Sequence, residues 1–198
     1  MNDTDQPDRS NGWNATPIAE LRNSRVGIDI MQAWANTLPV GATILDLGCG
    51  PGTPRSKVLI DAGFEIYAVD AAPRMATAYQ EYFPASRVVC EPAEESYYFG
   101  RTFDAVISWG MMFLLTAETQ RSVIHRVATA LKPGGRFLFT APMQIATWAD
   151  ASTGLESVSL GVDEYTSILK DAGFELIAEY TDDGENHYYD SVATDLHG

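Results

Sequence analysis

A short apolar strand that empties into a run of glycines is the segment that most limits how this chain can fold. Ile44-Leu45-Asp46-Leu47 leads into Gly48-Cys49-Gly50-Pro51-Gly52-Thr53, and a helical pattern begins at Arg55. Glycines there let the backbone turn sharply and approach a ligand with no Cβ in the way. A helix starting behind such a loop offers free N–H groups and a positive dipole end to an anionic group. A ligand bearing a nucleotide or a carboxylate therefore belongs at the tip of this strand.

The remainder of the chain alternates. Strands are expected at Thr43–Leu47, Phe64–Val69, Arg87–Cys90, Phe103–Trp109 and Arg136–Ala141. Helices are expected at Arg55–Ala62, Pro73–Phe83, Ala117–Leu131 and Asp163–Ala172, with glycines or Pro-Gly pairs after most of them. Such alternation predicts an α/β fold: a Rossmann-like, doubly wound, mostly parallel sheet. Phe174–Tyr180 and Tyr188–Thr194 have no helix between them, only the turn-forming Asp182-Asp183-Gly184-Glu185-Asn186. They predict an antiparallel C-terminal hairpin. Residues 142–160 lack clear periodicity and are rich in Ser, Thr and Ala, so they read as a long loop placed to receive a substrate.

The 198 residues suit one domain over 16–198, preceded by a flexible tail over 1–15. A helical stretch over about 16–38, broken near Gly27, is expected to form a lid. Lys and Arg number 13 against 27 Asp and Glu, a net charge of −14. That balance repels phosphate backbones and anionic membranes. Two cysteines, Cys49 and Cys90, cannot build a Cys-rich zinc site and fit a reducing, cytoplasmic setting. No secretory signal and no membrane-length apolar run is read in the chain.

Several nucleotide chemistries can be separated at the loop. A dinucleotide fingerprint requires G-x-G-x-x-G, but the third position holds Thr53 and Gly52 falls one residue early. A phosphate-binding P-loop needs Lys followed by Ser or Thr, which is absent. Asp46 would repel a pyrophosphate and attract a cationic amino group or sulfonium. Asp70 ends the second strand, where a carboxylate can accept from both ribose hydroxyls or cap the following helix.

Four blocks together, ILDLGCGPGT (44–53), YAVDAAPRM (67–75), FDAVISWG (103–110) and LKPGGRFLF (131–139), resemble the class I S-adenosylmethionine-dependent methyltransferases, especially small stand-alone bacterial members. The resemblance implies S-adenosylmethionine as cofactor and S-adenosylhomocysteine as product. It places Asp46 or its loop backbone at the methionine amino group, and Gly48, Cys49, Gly50 and Gly52 along the cofactor. Asp70 would bind the ribose, with Ala71 and Met75 beside ribose and adenine, and Ser108 and Trp109 would edge the methyl-donor pocket. Where related chains carry an Asp for the adenine amino group, this one has Pro92. Ala93 and Glu94 are the favoured replacements, with Glu91 an alternative and a solvated acidic turn the bland reading.

The expected reaction is in-line methyl transfer to a small-molecule acceptor, without nucleic-acid or membrane partners. A non-catalytic cofactor-binding protein and a nicotinamide-dependent oxidoreductase are the alternatives. Ser108-Trp109-Gly110 is no Asn-Pro-Pro-Tyr-type block, which disfavours an amino-nucleobase acceptor. No catalytic residue is assigned. His187 is a weak candidate base, His125 reads as surface, and His197 carries no signal. Trp13 is expected either to cover the adenosine or substrate as part of a lid or to pack on the sheet. Arg22 and Arg25 are candidates for the methionine carboxylate or for the surface. Trp148 and Met143 are candidates for an apolar acceptor pocket or for core.

Overall fold

The computed structural model describes residues 25–151 and 153–194. The helices are α1 (Ile28–Ala35), α2 (Arg55–Asp61), α3 (Pro73–Tyr82), α4 (Ala117–Ala130) and α5 (Val162–Asp171). The strands are β1 (Thr43–Leu47), β2 (Glu65–Asp70), β3 (Arg87–Cys90), β4 (Phe103–Ser108) and β5 (Leu131–Thr140). They continue with β6 (Ile145–Ala149), β7 (Glu156–Leu160), β8 (Phe174–Thr181) and β9 (His187–Ala193). Seven of them form one sheet in the order β3-β2-β1-β4-β5-β9-β8. The first five are parallel, and β9 runs antiparallel to both β5 and β8. The doubly wound sheet and its C-terminal hairpin are thus as expected. Strand order reverses between β1 and β4, which opens a crevice at their C-terminal ends.

Period-two burial divides the core between the two faces. Leu45, Leu47, Val106, Phe137 and Phe139 pack on one side with Ile124 and Tyr165. Ile44, Ala105, Ile107 and Leu138 pack on the other with Trp34 and Leu59. The central strands are nearly continuous apolar runs because helices cover both of their faces. α1 starts at Gly27, whose φ of +75° favours glycine. The lid expected over 16–38 lies partly outside the described residues; its described part is the Gly27 turn and α1.

The segment 142–160 differs from expectation. It is a β-hairpin, β6 paired antiparallel with β7 as a separate sheet. Its pattern is hidden because β6 has no buried residue and its Ile145 is 84% exposed. On β7 two buried positions are the serines Ser157 and Ser159. Leu160 and Val158 join the core, and polar contacts add to them: Gln120 Nε2 donates to the carbonyls of Val158 (2.8 Å) and Leu115 (3.0 Å). Ser159 Oγ donates to the carbonyl of Pro142 at 2.8 Å. No helix of the described residues is long and apolar enough to cross a membrane.

Candidate active site

A cavity of about 740 Å³ occupies the crevice beyond β1, β2 and β4. It falls in the roughly 300–1,000 Å³ range of small-molecule sites. The glycine loop forms its floor and is tied to β2: the N–H groups of Gly48 and Cys49 donate to the carbonyl of Val69 at 2.8 and 3.2 Å. At Gly48, φ is +72° and a Cβ would stand 2.6 Å from Cβ of Met111. At Gly50, φ is +55° and a Cβ would meet nothing within 4 Å, so the open space there belongs to the cavity.

Asp70 is the strut of this floor. Its Oδ2 accepts from Gly50 N and its Oδ1 from Ala72 N, both at 2.8 Å. Asp70 thus closes the turn before α3 without capping the helix, and the same carboxylate also lines the cavity. Burial raises its pKa, against the two backbone hydrogen bonds. Each oxygen keeps lone-pair capacity for a ligand hydroxyl.

Asp46 is buried and accepts from Ser56 Oγ at 2.6 Å. Burial pushes its carboxyl up to about 6, opposed by the Ser56 hydrogen bond and the Arg55 charge. Cys49 is likewise pushed well up, by burial and by the adjacent Asp70 and Asp46 charges. It therefore lines the cavity as a neutral thiol rather than as a nucleophile.

The remaining expected residues divide by placement. Ala71, Met75, Ala93, Glu94 and Trp109 line the cavity together with Asp46, Gly48, Cys49, Gly50 and Asp70. Glu91 and Pro92 line it as well. The carbonyl of Ala93 accepts from Tyr98 Oη at 2.7 Å, which fixes that turn. Gly52 does not line it; its Cα is pressed on Tyr79 and Phe83. Ser108 is buried behind the lining. Arg25 is exposed and off the cavity, His125 is exposed, and Trp13, Arg22 and His197 lie outside the described residues.

His187 is not among the residues that line the cavity. Its Nε2 meets Glu179 Oε1 at 2.8 Å and its ring stands edge-on to Tyr189, outside the cavity lining. Met143 is also off the lining, while Trp148 reaches it indirectly through Phe113, with ring centroids 5.6 Å apart.

Arg55 is the residue sequence reasoning missed. Its guanidinium stacks on Trp109 and its side chain lines the cavity. Its Nε is buried with no hydrogen-bond partner among the described residues, as is Thr53 Oγ1 in the same loop. Burial draws its pKa down to about 9, opposed by Tyr188, Asp46 and Asp182. It remains a cation at neutral pH. Among the described lining residues it is the one Lys or Arg. The hairpin loop beyond β8 was also missed: Gly184 and Asn186 line the cavity, held by Asp182 Oδ1, which accepts from their N–H groups at 2.9 and 3.0 Å.

A crevice of Rossmann type at the C-terminal ends of β1, β2 and β4, with a carboxylate at the end of β2, defines the class of fold. Residues 44–135 match the family model described as a methyltransferase domain. The chain is 30% identical over 174 residues to the ubiquinone biosynthesis O-methyltransferase of Xanthomonas axonopodis pv. citri (strain 306), covering 81% of this chain and 70% of that one. It is 28% identical over 176 residues to the sarcosine/dimethylglycine N-methyltransferase of Aphanothece halophytica, covering 81% of this chain and 61% of that one. Among solved structures it is similar to the magnesium protoporphyrin IX methyltransferase of Synechocystis PCC 6803 with bound S-adenosylmethionine. That match has a TM-score of 0.73 at 16% identity, over 98% of this chain and 100% of that one.

The chain belongs to the class I S-adenosylmethionine-dependent methyltransferases, and it uses that cofactor. The residues present fit the group. Gly50 leaves space beside Asp70, an acid lies beneath the loop, and a buried guanidinium lacks a hydrogen-bond partner for its Nε among the described residues.

Proposed function

We propose that this enzyme methylates a small organic acceptor held in the apolar part of the cavity. The observation that carries the reading is Asp70, which fixes the glycine loop through Gly50 N and still faces the cavity. S-adenosylmethionine supplies an activated methyl group on a sulfonium, a good leaving group, so the protein's work is alignment and exclusion of water. Asp70 holds the ribose hydroxyls, Met75 and Ala93 flank the adenine, and Asp46 faces the methionine ammonium. Arg55, supported by the face of Trp109, takes the methionine carboxylate. The β6–β7 hairpin and the 3₁₀ turn Met112–Leu114 wall the acceptor side.

Calorimetric titration with S-adenosylhomocysteine, with NAD as control, tests this directly. Micromolar binding of the former alone is expected. Asp70→Ala should weaken it by about 1.5–3 kcal/mol, because two hydroxyl contacts and the loop strut go together. An unchanged dissociation constant would remove Asp70 from the site.

A pH dependence follows from Asp46. Its free carboxyl titrates near 6, and a ligand ammonium favours the ionised form. Affinity should therefore be constant above about pH 7. Below pH 6 it should fall by up to about tenfold per pH unit, because binding must first expel the proton. Asp70, also raised by burial, acts in the same direction. Asp46→Asn separates the two by removing the step near 6. A dissociation constant that is flat from pH 5 to 8 in the wild type would exclude an ionised Asp46 as the ammonium's partner.

A further inference from the structure

The loop between β8 and β9 brings a further polar group to the cavity. Asn186 is half-buried and lines it. Most of its polar atoms are engaged within the loop. Its N–H donates to Asp182 Oδ1 at 3.0 Å, and its carbonyl accepts from Asp182 N at 3.1 Å. Its Nδ2 donates to Asp182 Oδ1 and Oδ2 at 3.1 and 3.0 Å. An ionised carboxylate accepts and does not donate, so this pairing decides which end of the amide is nitrogen. Oδ1 is the polar atom of Asn186 left without a partner among the described residues, and it is not one of the buried atoms that lack one. It is therefore open to a ligand.

Asp182 is itself held in place. Its Oδ1 also accepts from Gly184 N at 2.9 Å, and its Oδ2 from Tyr188 Oη at 2.7 Å. A Cβ on Gly184 would stand 2.6 Å from Val26 Cγ1 and 3.2 Å from Asn186 Nδ2, so the loop is packed on both of its flanks. Tyr188 and Trp109 share one apolar cluster, and Arg55 stacks on Trp109. Asp182 and Tyr188 both act electrostatically on the Arg55 guanidinium. Asn186 therefore stands in the neighbourhood of Arg55.

We propose that Asn186 Oδ1 accepts a hydrogen bond from the methionine ammonium of the cofactor, and that Asp182 is the positioning residue that keeps this oxygen turned toward it. The proposal rests on the placement of the methionine carboxylate on Arg55 under the preceding heading. An α-ammonium is one carbon away from its own carboxylate and carries several N–H donors. Once water is excluded, each of them needs an acceptor, and Asp46 alone does not satisfy them. The amide oxygen of Asn186 supplies another without adding a second negative charge beside Asp46. A reversed amide would instead aim its NH₂ at the ammonium. Asp182 prevents this by taking the Nδ2 hydrogens.

The test is calorimetry on the full-length protein at about pH 7.5, above the titration of Asp46 near 6. It uses S-adenosylhomocysteine, the same molecule without its amino group (4-(5′-deoxyadenosin-5′-ylthio)butyrate), and 5′-methylthioadenosine. Asn186→Ala should weaken S-adenosylhomocysteine by about tenfold, as for a hydrogen bond to a charged group. It should leave the deamino analogue and 5′-methylthioadenosine within about twofold, which also shows that the variant is folded. Asp182→Asn should lower the preference for S-adenosylhomocysteine over the deamino analogue in the same direction, by about threefold, because the amide is then free to turn over. Binding of S-adenosylhomocysteine that Asn186→Ala leaves unchanged overturns this proposal alone. So do equal losses for all three ligands, which would make Asn186 a support for the loop. A preference that Asp182→Asn leaves intact removes Asp182 from the positioning role. Failure of S-adenosylhomocysteine to bind the wild type overturns the cofactor placement itself, and the role of Asn186 falls with it.

Discussion

Asp190→Ala should destabilise the protein by about 3–5 kcal/mol, the range for a buried charge pair that loses one partner. Asp190 is fully buried on β9. Its Oδ1 accepts from Trp34 Nε1 at 3.0 Å and from Arg136 Nε at 3.1 Å, and its Oδ2 pairs with Arg136 Nη2 and accepts from Tyr180 Oη at 3.0 Å. One carboxylate thus joins α1, β5, β8 and β9. Removing it strands the Arg136 guanidinium, whose side chain is only 17% exposed, and the indole N–H of Trp34. For a chain of this size each kcal/mol shifts the melting temperature by roughly 2–4 °C, so a fall near 10 °C is expected. Asp190→Asn keeps an acceptor for Trp34 but not the ion pair and should fall between. Urea denaturation checks this; a loss below about 1 kcal/mol would mean that Arg136 rehydrates freely.

The same strand connects stability to the site. Tyr188 lies on the Asp190 side of β9, and its hydroxyl donates to Asp182 Oδ2 at 2.7 Å. Asp182 shapes the loop whose Gly184 and Asn186 line the cavity. Gly27 sits against this hydroxyl so closely that a Cβ would stand 1.9 Å from it. The entry into α1 is therefore fitted to the C-terminal hairpin beside the cavity, and both edges of the crevice depend on β9.

What the sequence revealed and what it concealed follow from the same physics. β1, β2, β4 and β5 were legible because strands covered on both faces must be apolar throughout. The glycine loop and Asp70 were legible because their spacing is tied to a turn and a strand end. β6 and β7 were not, since β6 buries nothing and the buried positions of β7 are mostly serines, with the hydroxyl of Ser159 and a backbone carbonyl met by Gln120 among its anchors. His187 and Tyr188 are neighbours in sequence, yet strand pleating sends them to opposite faces. Tyr188 packs with the α1 side, while His187 stands against Tyr189 in the other core. Arg55 reads as a solvated charge at a helix start. Only the fold shows that Trp109, 54 residues later, closes over it.

Arg55→Leu should accordingly weaken S-adenosylhomocysteine about ten- to a hundredfold, the equivalent of about 1.5–3 kcal/mol for a hydrogen bond to a charged group. The variant should leave 5′-methylthioadenosine within twofold, because that nucleoside lacks the amino-acid moiety and keeps the ribose and adenine contacts. Removing the guanidinium also leaves Asp46 without its nearest cation, so its carboxyl should titrate higher and the affinity step near pH 6 should move up with it. Arg55→Lys separates charge from shape. An ammonium restores the field at Asp46 but cannot lie flat on Trp109 or offer two parallel donors, so its affinity should be intermediate. The decisive quantity is the ratio of the two dissociation constants. Equal losses for both ligands would make Arg55 a support for the loop, whereas a loss confined to S-adenosylhomocysteine makes it the partner of the methionine carboxylate.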